Sequence, residues 1–130
     1  MKQVEQTKLG SDGNCFEACI ASLLDCAIEE VPDLGAYEED NTWLGVLNDW
    51  LERTYGLGYL ECRVPHRERD EFWKDKNFYH IIIGPTSLSQ DIHHAVVGRK
   101  GRMLWDPHPE HIGILDEPDS MRIGVIVSQC

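Results

Sequence analysis

The sequence predicts an α+β domain, with N-terminal helices packed on a mostly antiparallel β-sheet formed by the second half of the chain. Three observations predict it. Small and apolar residues recur at helical spacing after Cys15, a wide apolar stripe at helical spacing follows Thr42, and beyond Gly58 the pattern changes to short β-branched and aromatic runs. The 130 residues fit one domain, residues 1–130, with no repeat, linker or low-complexity segment.

Residues 3 to 8 read as a short edge strand or an extended arm, closed by the turn-forming Gly10-Ser11-Asp12-Gly13. Helix one runs from about Cys15 to Asp25, with Asn14 as its cap residue and Ala18, Cys19, Ser22 and Leu23 on one face. Glu29 to Asp33 makes a short helical turn and a stop at Pro32. Asn41 or Thr42 caps helix two, which continues to about Tyr55 and ends at Gly56. Its stripe of Trp43, Val46, Leu47, Trp50 and Leu51 reads as core. The expected strands are Tyr59 to Val64, Phe78 to Ile83, His93 to Val97, Met103 to Trp105 and Arg122 to Val127, with a helical turn over Arg67 to Trp73.

Composition narrows the function classes. Hydrophobic residues at 42% and charged residues at 27% describe an ordinary soluble globular protein, and a formal charge of −11 argues against nucleic acid, whose phosphates require a basic patch. Arg63 to Arg69 and Arg99 to Arg102 read as solvated faces. No apolar run approaches the ~20 residues of a membrane span, and Met1 to Glu5 lacks the apolar core of a signal peptide, so a cytoplasmic location and no membrane partner are expected. Five cysteines, at 15, 19, 26, 62 and 130, are then expected as thiols. Zinc is the rival use of Cys15, Cys19, Cys26, His108 and His111, but no Cys-x-x-Cys pair or metalloprotease helix motif supports it, and neither metal nor cofactor is expected.

Cys15 is the candidate nucleophile. The free N–H groups and positive dipole end of a helix N-terminus favour a thiolate, and Gly13 lets the chain bend before it. Downstream, His93 to Asp106 reads as a β-hairpin. A three-residue loop, Arg99-Lys100-Gly101, makes paired positions sum to 200 and sets His94 opposite Asp106 with Cβ atoms about 4.5–5.5 Å apart. A two-residue turn at Lys100-Gly101 makes the sum 201 and puts Asp106 on the face of His93, and periodicity leaves the two registers open. The chemistry asks for these types: an imidazole takes the thiol proton, a carboxylate orients the imidazole, and N–H donors hold the oxyanion. The Cys15 backbone N–H is one such donor, with Gln6 as the amide candidate and Gln3 or Asn14 as alternatives.

A cysteine opening the first helix, the later His94-Ala95-Val96-Val97 run and a strand ending in Asp106-Pro107 together resemble the papain-like cysteine peptidase superfamily. The likeness is closest to the compact branch of bacterial double-glycine leader peptidases, and extends to small phage and bacterial proteins with a Gly-Asn-Cys-Phe start and an Asp-Pro-His-Pro segment, here Asp106 to Pro109. The resemblance implies a single papain-like domain with a Cys15, His94, Asp106 triad, His94 being the histidine that immediately precedes the Ala-Val-Val run, and Gln6 matching the oxyanion-hole glutamine. It further implies a thioester-forming hydrolase acting on a peptide, isopeptide or amide bond of a protein or peptide substrate. Glutamine deamidation or transglutaminase-like acyl transfer uses the same residues, and a non-catalytic papain-like binding module is the alternative outside enzymology.

Overall fold

A computed structural model of the protein describes residues 1–63, 74–86, 93–114 and 121–128. Helix α1 (Cys15–Leu24) begins where the sequence pattern starts it and ends at Asp25, whose φ of 55° turns the chain left-handed. Ala18 to Ser22 are buried, and the Ser22 hydroxyl donates back to the Ala18 carbonyl at 2.9 Å, so small side chains let the helix sit close to its neighbours. Helix α2 (Trp43–Tyr55) follows Thr42 and stops at Gly56. Leu47 and Leu51 are its fully buried members, while Trp43, Val46 and Trp50 pack half-buried around them. Single 3-10 turns occupy Gly10–Asp12, Ile28–Glu30 and Leu34–Tyr37.

Five strands, β1 (Leu57–Cys62), β2 (Tyr79–Pro85), β3 (His93–Arg99), β4 (Arg102–Trp105) and β5 (Arg122–Ser128), form one sheet in the order β1-β5-β2-β3-β4, every pair antiparallel. The last strand therefore lies between the first two, which brings Glu61 and Arg122 together at 2.9 Å. Alternation divides the apolar residues: Ile81, Ile83, Ala95 and Val97 join the helices in one core, and Ile82, Val96 and Ile123 form a second with Met121. The helical turn expected over Arg67 to Trp73 and the end of the first strand at Val64 lie outside the described residues. Among the described residues no helix is long and apolar enough to cross a membrane.

The β3–β4 hairpin differs from the expected three-residue loop. Lys100 and Gly101 form a two-residue tip with φ of 57° and 78°, the doubly positive pair that matches strand twist. Arg99 pairs with Arg102 and Gly98 with Met103, a sum of 201, but a bulge then moves the register to Val97 with Trp105, a sum of 202. The extra residue restores an even sum, so Asp106 returns to the side of His94 and Val96. His80, fully buried on β2, fixes the tip by accepting the Gly101 N–H at Nε2 (3.0 Å), and burial lowers its pKa to about 4, which keeps it a neutral acceptor.

Candidate active site

The amino-terminal residues assemble the site by threading between α1 and the end of β4. The Val4 N–H donates to the Ser22 hydroxyl (3.1 Å), the Trp105 indole donates to the Val4 carbonyl (3.1 Å), and the Gln6 N–H donates to the Pro107 carbonyl (3.0 Å). Residues 3 to 8 are thus an extended arm rather than a strand of the sheet, and the arm joins the helix that begins at Cys15 to the segment that carries Asp106.

Asn14 occupies the cap position of α1, but its side chain makes no capping bond. Its Oδ1 instead accepts the N–H groups of Thr7 and Lys8, both at 2.9 Å, and its Nδ2 donates to the Thr7 hydroxyl at 2.8 Å. Folding the 6–14 segment back on itself brings Gln6 beside the bend. A Cβ added at Gly13 would stand 2.9 Å from the Gly10 carbonyl oxygen and 3.5 Å from Gln6 Nε2. Glycine is needed there because the backbone comes too close for a side chain. Gln6 is buried and donates from Nε2 to the Lys8 carbonyl (2.8 Å), while Gln3 is exposed and Asn14 holds Thr7 and Lys8 through Oδ1 and the Thr7 hydroxyl through Nδ2.

His94 and Asp106 meet where β3 begins and β4 has ended. His94 Nε2 lies 2.6 Å from Asp106 Oδ1, with both side chains almost wholly buried. Asp106 is a hub: Oδ1 also accepts the His108 N–H (2.9 Å) and Oδ2 accepts the Gly113 N–H (2.7 Å). Burial opposes its charge, but these donors hold its carboxyl below the usual carboxylate range. For His94, burial alone would lower the pKa; the hydrogen bonds to Asp106 and Cys15, with their charges, overcome it and raise the value to about 9. Since Nε2 serves Asp106, Nδ1 is the ring nitrogen left to serve Cys15. His93 is exposed at the rim, with its pKa lowered by burial and by the charges of Arg122 and Arg63.

The Cys15 thiol is half-buried on a cavity of about 580 Å³ whose walls include Gln6, Phe16, Glu17, Trp43, His94 and His108. Cys19, one helical turn on, is fully buried, and burial pushes its thiol well above the ordinary range. Among the described residues no group of three His, Cys, Asp or Glu is close enough together to hold a metal ion. Sequence reasoning missed Glu17 and the cavity-facing role of Trp43, and it gave Asn14 a capping or oxyanion role where its side chain instead holds the Thr7–Lys8 segment. Helical spacing assigned Trp43 to the core because it shares a stripe with Leu47, although its ring also faces the cavity. Glu17 had no sequence signal beyond lying two residues after Cys15.

No protein-family model matches the chain, and neither a curated protein nor a solved structure matches it.

Asn14→Ala is expected to release the 6–8 arm at a cost of about 0.5–1.5 kcal/mol for each hydrogen bond lost, since the exposed Thr7 and Lys8 N–H groups turn to water. If Gln6 serves the oxyanion, the variant will lose acylation by an ester or amide electrophile far more than alkylation by iodoacetamide, which forms no oxyanion. Equal losses in the two rates would reduce Asn14 to a purely structural role.

Proposed function

We propose that the protein is a cysteine-dependent hydrolase of the papain-like type, cleaving a peptide, isopeptide or amide bond through Cys15, His94 and Asp106. The observation that carries this reading is the buried His94–Asp106 pair, 2.6 Å apart, with His94 and the Cys15 thiol on the wall of one cavity and Cys15 among the groups that raise the His94 pKa. A buried histidine paired with a buried aspartate has a structural explanation, but a histidine that also shares a cavity wall with a thiol at a helix start suits an activated nucleophile.

In this reading His94 Nδ1 takes the Cys15 proton, and Sγ attacks the substrate carbonyl carbon. The oxyanion lies against the Cys15 backbone N–H, unused by the helix, and the second N–H of Gln6 Nε2. Collapse breaks the C–N bond, the leaving amine takes the proton from His94, and a thioester remains. His94 then removes a proton from water, hydroxide adds to the thioester, and the acid departs as Cys15 is regenerated. Asp106 stays ionised throughout, fixing the ring so that the same nitrogen faces sulfur and leaving group in turn.

Iodoacetamide at near-neutral pH tests the reading against a built-in control. Cys62 is exposed on β1 with its thiol pushed up by partial burial and by Glu61, whereas Cys15 is less accessible but paired with His94. Cys15 is expected to react first, as mapped by peptide mass spectrometry, and Cys15→Ala to abolish hydrolysis with the fold retained. Faster labelling of Cys62, or activity surviving in Cys15→Ala, would remove the proposal.

A further inference from the structure

The cavity beside Cys15 is unevenly charged. On the sheet side Glu61 is matched, since Oε2 accepts from Arg122 Nη1 at 2.9 Å and Oε1 accepts the Tyr59 hydroxyl at 2.7 Å. On the helix side Glu17 is not matched. It is 8% exposed, and among the described residues its carboxylate has no ion pair and no hydrogen bond beyond its own backbone N–H. Asp33 and Glu38 repel it, and Lys8, the cation that acts on it among the described residues, is solvent-exposed and 4.0 Å from Asp33. Desolvation, reinforced by these neighbours, raises its pKa to about 7. Stability gives no reason to keep such a group, because a buried carboxyl without a partner is costly.

Two independent features of the same cavity point to what completes it. Gln6, on the same wall, is buried and its Oε1 receives no hydrogen bond, a second acceptor beside the cavity that lacks a donor. Phe16 and Trp43 line it as aromatic surfaces, their centroids 5.6 Å apart in an edge-on pair. Acceptors without donors, a buried carboxyl and aromatic walls together suit a ligand that is cationic and rich in N–H groups.

We propose that the wall formed by Glu17, Glu38, Phe16 and Trp43 receives a lysine or arginine side chain of the substrate, next to the carbonyl that Cys15 attacks. This deepens the hydrolase reading and rests on it. Glu17 supplies the charge-assisted bond at depth, Glu38 adds charge at the exposed rim, and the aromatic rings flank the aliphatic stem and cationic head. A neutral side chain of the same shape leaves Glu17 unpaired, and an acidic one adds repulsion, so discrimination arises from the partner left without a bond as much as from the bond made.

Matched peptidyl vinyl sulfones carrying arginine, citrulline or glutamate beside the electrophile test the proposal. Arginine is expected to modify Cys15 at least about tenfold faster than isosteric citrulline, with glutamate slowest. In Glu17→Gln the arginine-to-citrulline ratio should fall to about twofold or less, and in Glu38→Gln, altered only at the rim, by a smaller factor. Because the ratio is taken within each variant, a general change in Cys15 reactivity or folding cancels. Equal rates for arginine and citrulline, while iodoacetamide still singles out Cys15, would overturn the cationic subsite and leave the hydrolase reading intact. A calorimetric titration with Nα-acetyl-arginine amide and its citrulline analogue is independent of thiol chemistry. Tighter binding of the arginine compound, lost in Glu17→Gln, supports the subsite even if Cys15 proves unreactive, and equal binding overturns it.

Discussion

Alanine in place of His94 is expected to change the shape of the pH profile of Cys15 alkylation, not merely its height. In the native chain His94 titrates at about 9, its burial outweighed by Asp106 and Cys15 beside it, so an imidazolium stands next to Cys15 across neutral pH. The rate should therefore vary little between pH 6 and about 8.5. Without His94 the thiolate must form by ordinary ionisation, and the rate should climb about tenfold per unit over pH 6–8, as for a thiol with a pKa near 8.5. Hydrolysis should fall by about 10³-fold or more, because the same residue also protonates the leaving amine. His93→Ala, at the exposed rim, serves as the neighbouring control and should keep the flat profile. Parallel profiles for the native chain and His94→Ala would show that His94 does not hold the proton of Cys15.

The hairpin illustrates what the sequence reveals and what it conceals. Parity of side-chain direction is a local rule, so two residues of opposite strands share a face whenever their numbers sum correctly. Two registers were readable, one with a three-residue loop favouring His94 and one with a two-residue turn favouring His93. The protein uses the two-residue turn of the second and, through the bulge opposite Val97 and Gly98, the facing of the first. A bulge adds one unpaired residue to a strand, and no dipeptide in the sequence announces it.

The helices were legible for a simpler reason. Their apolar stripes are set by residues within a turn or two of one another, so both start where the pattern places them, although neither Asn14 nor Thr42 makes a side-chain capping bond. Gln6, nine residues from Cys15, is brought near it by Asn14 and by the tight turn at Gly10–Asp12, contacts that exist only once the arm has folded back. Glu17 eluded sequence reading because its meaning lies in what is missing around it, and periodicity reports where a side chain points rather than which partners it lacks. The site residues visible in sequence were those whose chemistry demands a type, and the hidden ones were those that hold or flank them.

Asp106 carries the second large effect, because its two oxygens serve three donors. Asp106→Ala leaves His94 Nε2 and the N–H groups of His108 and Gly113 without their acceptor. Breaking a buried charged pair by removing one partner costs about 3–5 kcal/mol. That is a large share of the about 5–15 kcal/mol by which a domain is stable, so the alanine variant should melt roughly 10–20 °C lower. Asp106→Asn keeps the shape but places an NH₂ where one of the donors already points, and about 1–3 kcal/mol should be lost.

The pH dependence separates the ion pair from the loop-fixing role. His94 has a folded pKa raised to about 9 from 6.5, so its contribution is fully present below 6.5 and is lost as pH rises through about 9. Asp106 has a lowered folded pKa, so its contribution is present above its ordinary value of 3.8 and is lost as pH falls through the lower folded value. Urea midpoints should accordingly differ most between native and Asp106→Asn chains at pH 5–6.5 and converge partly by pH 9.5. A gap unchanged from pH 5.5 to 9.5 would mean that Asp106 acts through the backbone donors of His108 and Gly113 alone, and that its charge does nothing for His94. The carboxylate would then fasten the loop without tuning the histidine, and the proposed thiol chemistry would lose its orienting group.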